Sequence, residues 1–182
     1  MKIIDFFHFP TSIKDENNLL QLNTDEIKSY ISSINNNDTK YVFPIFSSKI
    51  IKEYQFCKLL EDKRKINNFY FLYMPDFNKN IKKQISLIKK IGFTGIVIHP
   101  YIQNIDNRFS DKLDTLINAC ESEKLFIAVC AAYGSSKMYK YYPLQIAAYI
   151  AERFSREIII IHGGGLKIME ALYIQTVCPA RY

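Results

Sequence analysis

The stretch PLQIAAYIAERFSREIIIIHGGG, residues 143–165, decides the fold. Pro143 suits a first helical turn, where its missing N–H costs nothing, and PLQIAAYIAERF reads as a helix. EIIIIHGGG (157–165) then reads as a strand that runs into a glycine turn. The strand is apolar without alternation. A strand that needs no wet face is one whose two faces are both covered, which is the signature of parallel strands packed under helices.

The same unit repeats upstream. Apolar strands are expected at KIIDFFHF (2–9), KYVFPIF (40–46), FYFLYMP (69–75), GIVIHP (95–100) and LFIAVC (125–130). Pro44 interrupts the second near its end. Helical stretches fall between them: TDEIKSYISSIN with Thr24 as cap and Ile27, Tyr30, Ile31 and Ile34 at helical spacing, then SKIIKEYQFCKLLEDKRK. NKNIKKQISLIKKIG and SDKLDTLINACESEK follow, the latter with Ser110 as cap, and LKIMEALYIQTVC comes after the last strand. Six strand–helix units in succession, with no linker or composition break, read as one α/β domain over residues 1–182. An open doubly wound sheet and a (β/α)8 barrel both suit this order. No GxGxxG follows the first strand, which removes the main support for a dinucleotide fold.

Composition bounds the rest. The chain has 182 residues, 48% hydrophobic and 23% charged, which is ordinary for a globular protein. Its formal charge of +6 comes from lysines spread along helix faces, not from basic residues interleaved with aromatics on a strand, so no nucleic-acid partner is expected. Cys57, Cys120, Cys130 and Cys178 form no CxxC pair and fit reduced thiols in a cytoplasmic protein. No signal-peptide pattern opens the chain, and no apolar run reaches the roughly 20 residues of a membrane helix, so no membrane partner is expected.

Chemistry-bearing residues gather at the carboxyl ends of the strands, where a barrel places its active site. Asp5 lies in the first strand, His99 and Pro100 end the fourth, Cys130 the fifth, and His162 the sixth. Asp5 in an apolar strand needs a partner, since an unpaired buried charge is costly. His99 reads either as a substrate contact at the strand ends or as a structural histidine bonded across them. His162, ahead of three glycines, reads either as a ligand or as a histidine bonded to backbone. The Tyr-rich SSKMYKYYP reads as a lid, a binding surface or a loop without function.

GFTGIVIHP, LFIAVC, IIDFFHF and the 143–165 stretch together resemble the amidohydrolase-related metal-dependent hydrolases, in the branch that includes the amino-carboxymuconate-semialdehyde decarboxylase type. The resemblance implies a distorted (β/α)8 barrel. It also implies hydrolysis or decarboxylation of a small substrate by one or two divalent metals, zinc most commonly, whose bound water is acidified to a pKa near ~7. Family ligands come from an Asp-x-His-x-His on strand 1, histidines on strands 5 and 6, and an Asp after strand 8. Here Asp5 fits the first Asp, but Phe7 and Phe9 stand at the two His positions. His8 is one residue out of register and should face the other way. Cys130 falls on the strand 5 position and His162 on that of strand 6. The chain stops about where a seventh strand would start, so the strand 8 Asp is missing. A truncated barrel, or one whose open edge is covered by a partner or a second copy, is the expectation.

Two functions follow. One is a divergent hydrolase or lyase that rebuilds a metal site from three of Asp5, His99, Cys130 and His162. The other is a non-catalytic relative that binds a small molecule or a partner protein. The loss of the strand 1 and strand 5 histidines favours weak or absent catalysis.

Overall fold

The computed structural model describes residues 3–6, 29, 32, 39–45, 58, 69–105, 110–131, 141–162, 167, 169, 170 and 172, with backbone only at 3–6, 39, 44 and 45. The strands are β1 (Ile3–Phe6), β2 (Thr39–Ile45), β3 (Phe69–Tyr73), β4 (Gly95–Ile98), β5 (Phe126–Cys130) and β6 (Ile158–Ile161). The helices are α1 (Ile81–Ile91), α2 (Pro100–Gln103), α3 (Ser110–Ser122) and α4 (Pro143–Arg153). This is the α/β order expected from the sequence. The first two expected helices lie outside the described residues except at Ser29, Ser32 and Lys58, which are helical. The chain divides into two compact units, Met1–Met74 with Ile88–Thr94 and Pro75–Leu87 with Gly95–Tyr182.

In the first unit β1, β2 and β3 pair in parallel and in chain order. β2 runs through Pro44, which sits opposite Leu72, so the proline does not end the strand. Register places Tyr41 beside Phe69 and Phe43 beside Phe71. In-register residues of a parallel pair share a face, and these rings stack at 5.4 Å and 5.7 Å. Phe93 meets Phe71 and Tyr73 edge-on, at 6.4 Å and 6.0 Å. Next to it, the Thr94 N–H and hydroxyl both donate to the Phe71 carbonyl, at 3.1 Å and 3.2 Å.

In the second unit β4, β5 and β6 also pair in parallel and in chain order. Ile96, Val97 and Ile98 of β4 and Ile127, Ala128 and Val129 of β5 are all fully buried. Successive residues point to opposite faces, so this run shows both faces of the central strands covered, as their unbroken apolar sequence requires. α3 buries Leu113, Leu116, Ile117, Ala119 and Cys120, and α4 buries Pro143, Leu144, Ile146, Ala147 and Ile150. Pro143 stands in the first turn of α4, as its sequence position predicts. The two helices are joined at their surface, where the Tyr149 hydroxyl donates to Asp114 Oδ1 at 2.8 Å and the Arg153 guanidinium lies 3.8 Å over the Tyr149 ring. That hydrogen bond is the leading reason the Tyr149 hydroxyl is a weaker acid than usual.

Side chains finish what the strands leave open after β3. The Asp76 N–H donates to Gln84 Oε1 and the Asp76 carbonyl accepts from Gln84 Nε2, both at 2.9 Å. One primary amide thus satisfies both backbone groups of a residue that no strand pairs. Asn80 Oδ1 accepts the Lys83 N–H at 2.9 Å, which caps the start of α1.

Candidate functional site

The carboxyl ends of β4, β5 and β6 bring the candidate residues of the second unit to within one residue of a common level. Ile98 is opposite Val129, and Cys130 is opposite Ile161. One step further, His99 follows Ile98 and His162 follows Ile161, while the Ala131 N–H continues the ladder to the Ile161 carbonyl at 3.0 Å. Three adjacent strand ends therefore carry His, Cys and His in turn.

His99 and Pro100, read from the sequence as the end of the fourth strand, lie beyond it, since β4 ends at Ile98. His99 is the cap of α2: its backbone is extended (φ −121°, ψ 90°), Pro100 occupies the first helical position, and its Nδ1 accepts the Ile102 N–H at 3.4 Å. A polar residue followed by proline is a helix-start signal, and here it was present in HP. The Gln103 side chain locks the turn. Its Oε1 accepts the His99 N–H at 2.6 Å, and its Nε2 donates to the Pro75 carbonyl at 2.7 Å. The Gln103 N–H in turn donates to the His99 carbonyl at 2.9 Å. Asn104 ends the turn in the left-handed region (φ 52°), and its Oδ1 accepts from the Tyr141 hydroxyl at 3.0 Å. Tyr141 also meets Tyr101 edge-on at 5.6 Å. Of the Tyr-rich segment 135–143, only Tyr141, Tyr142 and Pro143 are among the described residues, and Tyr141 serves this packing.

Burial is the main reason that the His99 pKa drops to about 4. Its own backbone pulls the other way, and the charge of a protonated His162 pushes it down further. His99 is therefore neutral at pH 7. His162 itself is exposed, yet partial burial still lowers its pKa. Its φ of 66° is left-handed, an uncommon conformation for a residue with a Cβ. The strand's two-residue alternation therefore stops at Ile161. Gly163–Gly165 lie outside the described residues.

Cys130 is 2% exposed and not disulfide-bonded, with Val129 and Ala131 fully buried on either side. These surroundings suit a small core side chain. Asp5 belongs to the first unit, where its backbone is opposite Tyr41, and its side chain lies outside what is described. Phe7, His8 and Phe9 lie outside it as well. Among the described residues no group of three or more His, Cys, Asp or Glu is arranged to hold a metal ion. Of the described donors, His99 uses Nδ1 as a helix cap and Cys130 is buried, while His162 is exposed.

A second, open groove lies at the start of α1, lined by Phe77, Asn80, Lys79, Lys82, Lys112 and Thr115 among others. Two of its cations have structural work. Lys79 pairs with Asp76 at 2.9 Å, and Lys112 donates to the Phe77 carbonyl at 2.8 Å. Burial raises the Asp76 pKa, but Lys79 and the Asn78 N–H outweigh it and leave the carboxyl more acidic than usual. The strand ends, not this groove, hold a buried imidazole that is neutral at pH 7, the kind of perturbed group that ligand sites use.

The sequence singles out His99, Cys130, His162 and the Tyr-rich segment that holds Tyr141, but not Gln103 or Asn104. Gln103 carries no motif; its partner Pro75 is 28 residues away in the chain and is found only through the fold.

No family model matches the chain, and no curated protein does. A solved structure does: a probable 2-pyrone-4,6-dicarboxylic acid hydrolase from Acinetobacter baumannii, with citric acid bound. The likeness has a TM-score of 0.61 at 14% identity and covers 97% of this chain and 66% of that one. This is a likeness of fold. The chain spans just under two thirds of the length of the enzyme it matches.

Proposed function

We propose that this chain is a barrel of the amidohydrolase kind that binds a small molecule at the carboxyl ends of its strands and has lost metal-assisted catalysis. The single observation that carries the reading is that His99 and His162 stand at the ends of β4 and β6, on either side of β5, with the charge of a protonated His162 acting on His99. Strand-end polar groups are where barrels of this type meet their ligands. The solved structure with the similar fold is that of a probable hydrolase of a dicarboxylic acid, which supports a (β/α)8 ancestry and a ligand with carbonyl or carboxylate oxygens. Within that ancestry, the decarboxylase-like branch is the one the 143–165 stretch favours. Phe7 and Phe9, at positions where the family uses histidines, argue against a working metal centre.

The proposal includes a cytoplasmic site of action and the absence of a membrane or nucleic-acid partner. No helix among the described residues is long and apolar enough to cross a membrane. A partner, or a second copy of the chain, covering an open barrel edge belongs to the same reading.

The test has two arms. Metal analysis of the purified chain, and of its His162→Ala and Cys130→Ala variants, is expected to find no stoichiometric ion after incubation with zinc or manganese. Close to one ion per chain, lost in both variants, would overturn the reading. In the second arm, citrate and 2-pyrone-4,6-dicarboxylate are titrated against the chain by calorimetry. Binding that weakens at least about tenfold in His162→Gln, a loss of about 1.4 kcal/mol, supports the site; equal binding by the variant places the ligand elsewhere.

A further inference from the structure

The turn after β4 fixes more than the place of His99. A neutral imidazole has one nitrogen that carries hydrogen and one that accepts. Which is which follows from the hydrogen bond that one of them makes. His99 Nδ1 faces the Ile102 N–H at 3.4 Å and accepts from it, so Nδ1 carries no hydrogen. The proton is then on Nε2. Neither nitrogen presents a lone pair outward: one is turned to the backbone, and the other is occupied by its hydrogen.

The ring is held in that orientation by its own main chain. Gln103 grips both backbone groups of His99, accepting its N–H with the side chain and donating to its carbonyl with the main chain. The same side chain is anchored on the Pro75 carbonyl, so it is fixed at both ends. A metal at Nε2 would need the proton to move to Nδ1, which would set an N–H against the Ile102 N–H and undo the cap.

We infer that His99 is locked as its Nε2–H tautomer by the turn it caps, with Gln103 as the positioning residue, so that the end of β4 is a hydrogen-bond donor and not a metal ligand. Any group that meets the ring at Nε2 must therefore be an acceptor, an oxygen and not an ammonium. This deepens the binding reading above and rests on it only for treating the strand ends as a ligand site; the tautomer itself is measured without any ligand.

The experiment is a long-range nitrogen–proton correlation spectrum of the nitrogen-15-labelled full chain at neutral pH, with His99 assigned by a His99→Gln variant. The expected pattern is a pyridine-like Nδ1 and a pyrrole-like Nε2. The reverse pattern, or two averaged nitrogens, would overturn the inference. Addition of one equivalent of zinc should leave both His99 nitrogens where they were, and movement of either to a metal-bound position would also overturn it. In Gln103→Leu the His99 pattern should average while that of His162 is unchanged. An unaltered His99 pattern in a folded Gln103→Leu variant would remove Gln103 from the positioning role. Should that variant not fold, the wild-type spectrum still decides the tautomer.

Discussion

Arg156 donates through Nη2 to the carbonyls of Cys120 and Leu125, the first at 3.5 Å. Those carbonyls lie at and just beyond the end of α3, where the last turn leaves acceptors without helical partners. A cation there also meets the negative end of the helix dipole. The contact ties the segment before β6 to the α3–β5 connection, and it does so from a side chain that is itself exposed.

Arg156→Ala should therefore cost about 1 kcal/mol, toward the low end for a charge-assisted bond because water screens the guanidinium. Urea unfolding is the measurement. Arg156→Lys should recover only part of the loss, since an ammonium on a flexible stem lacks the fixed planar geometry in which the guanidinium presents its N–H groups.

Cys120 should be inert toward alkylation in the native chain. Burial pushes its thiol up to about 12, and the nearby Arg156 draws it only partly back. The thiolate is the reacting form. Mass spectrometry of iodoacetamide-treated protein should find Cys120 labelled only at the rate of unfolding, and rapidly once denaturant is present. Fast native labelling would contradict its position in the core.

Protonation of His99 should work against folding. Its pKa falls from 6.5 in the unfolded chain to about 4 in the folded one. Between those values the unfolded state binds more protons, so stability rises with pH across the window and is lost as pH falls through it. A series of melting temperatures over this range should show a slope that flattens in His99→Gln. In His162→Gln the His99 pKa should move upward, because a positive neighbour has gone.

Gly95→Ala should destabilise by about 2–3 kcal/mol, as overpacking against backbone does. A Cβ there would stand 2.6 Å from the Phe126 carbonyl and 2.8 Å from its ring. Register places Gly95 directly opposite Phe126, so the close approach belongs to the β4–β5 pairing itself. Chemical denaturation of the variant measures it.

The strands were legible because burial on both faces leaves an unbroken apolar run, and Ile96–Ile98 and Ile127–Val129 are such runs. Pro143 announced its helix for a local reason, the fixed φ of its ring. His162 was legible as a strand-end residue, but its left-handed backbone was not, since nothing in a histidine calls for that conformation. The cap at His99 was hinted at by Pro100. Gln103, by contrast, is an unremarkable residue in sequence. Its role comes from a carbonyl 28 positions away, and Tyr141 finds Asn104 across 37. Such pairings appear only when strands have already brought the segments together.

The grip of Gln84 on Asp76 has a consequence for how the chain ages. A glutamine amide is slowly hydrolysed to a carboxylate, which exchanges its two donor hydrogens for a second acceptor. At Gln84 the new oxygen would face the Asp76 carbonyl, with the Asp76 carboxyl close by on the same residue. One clamp would become a repulsive contact through a change of one mass unit (~1 Da), with nothing altered in the gene. The exit of β3 is thus held by a group whose chemical lifetime, not only its geometry, sets how long the connection into α1 keeps its form.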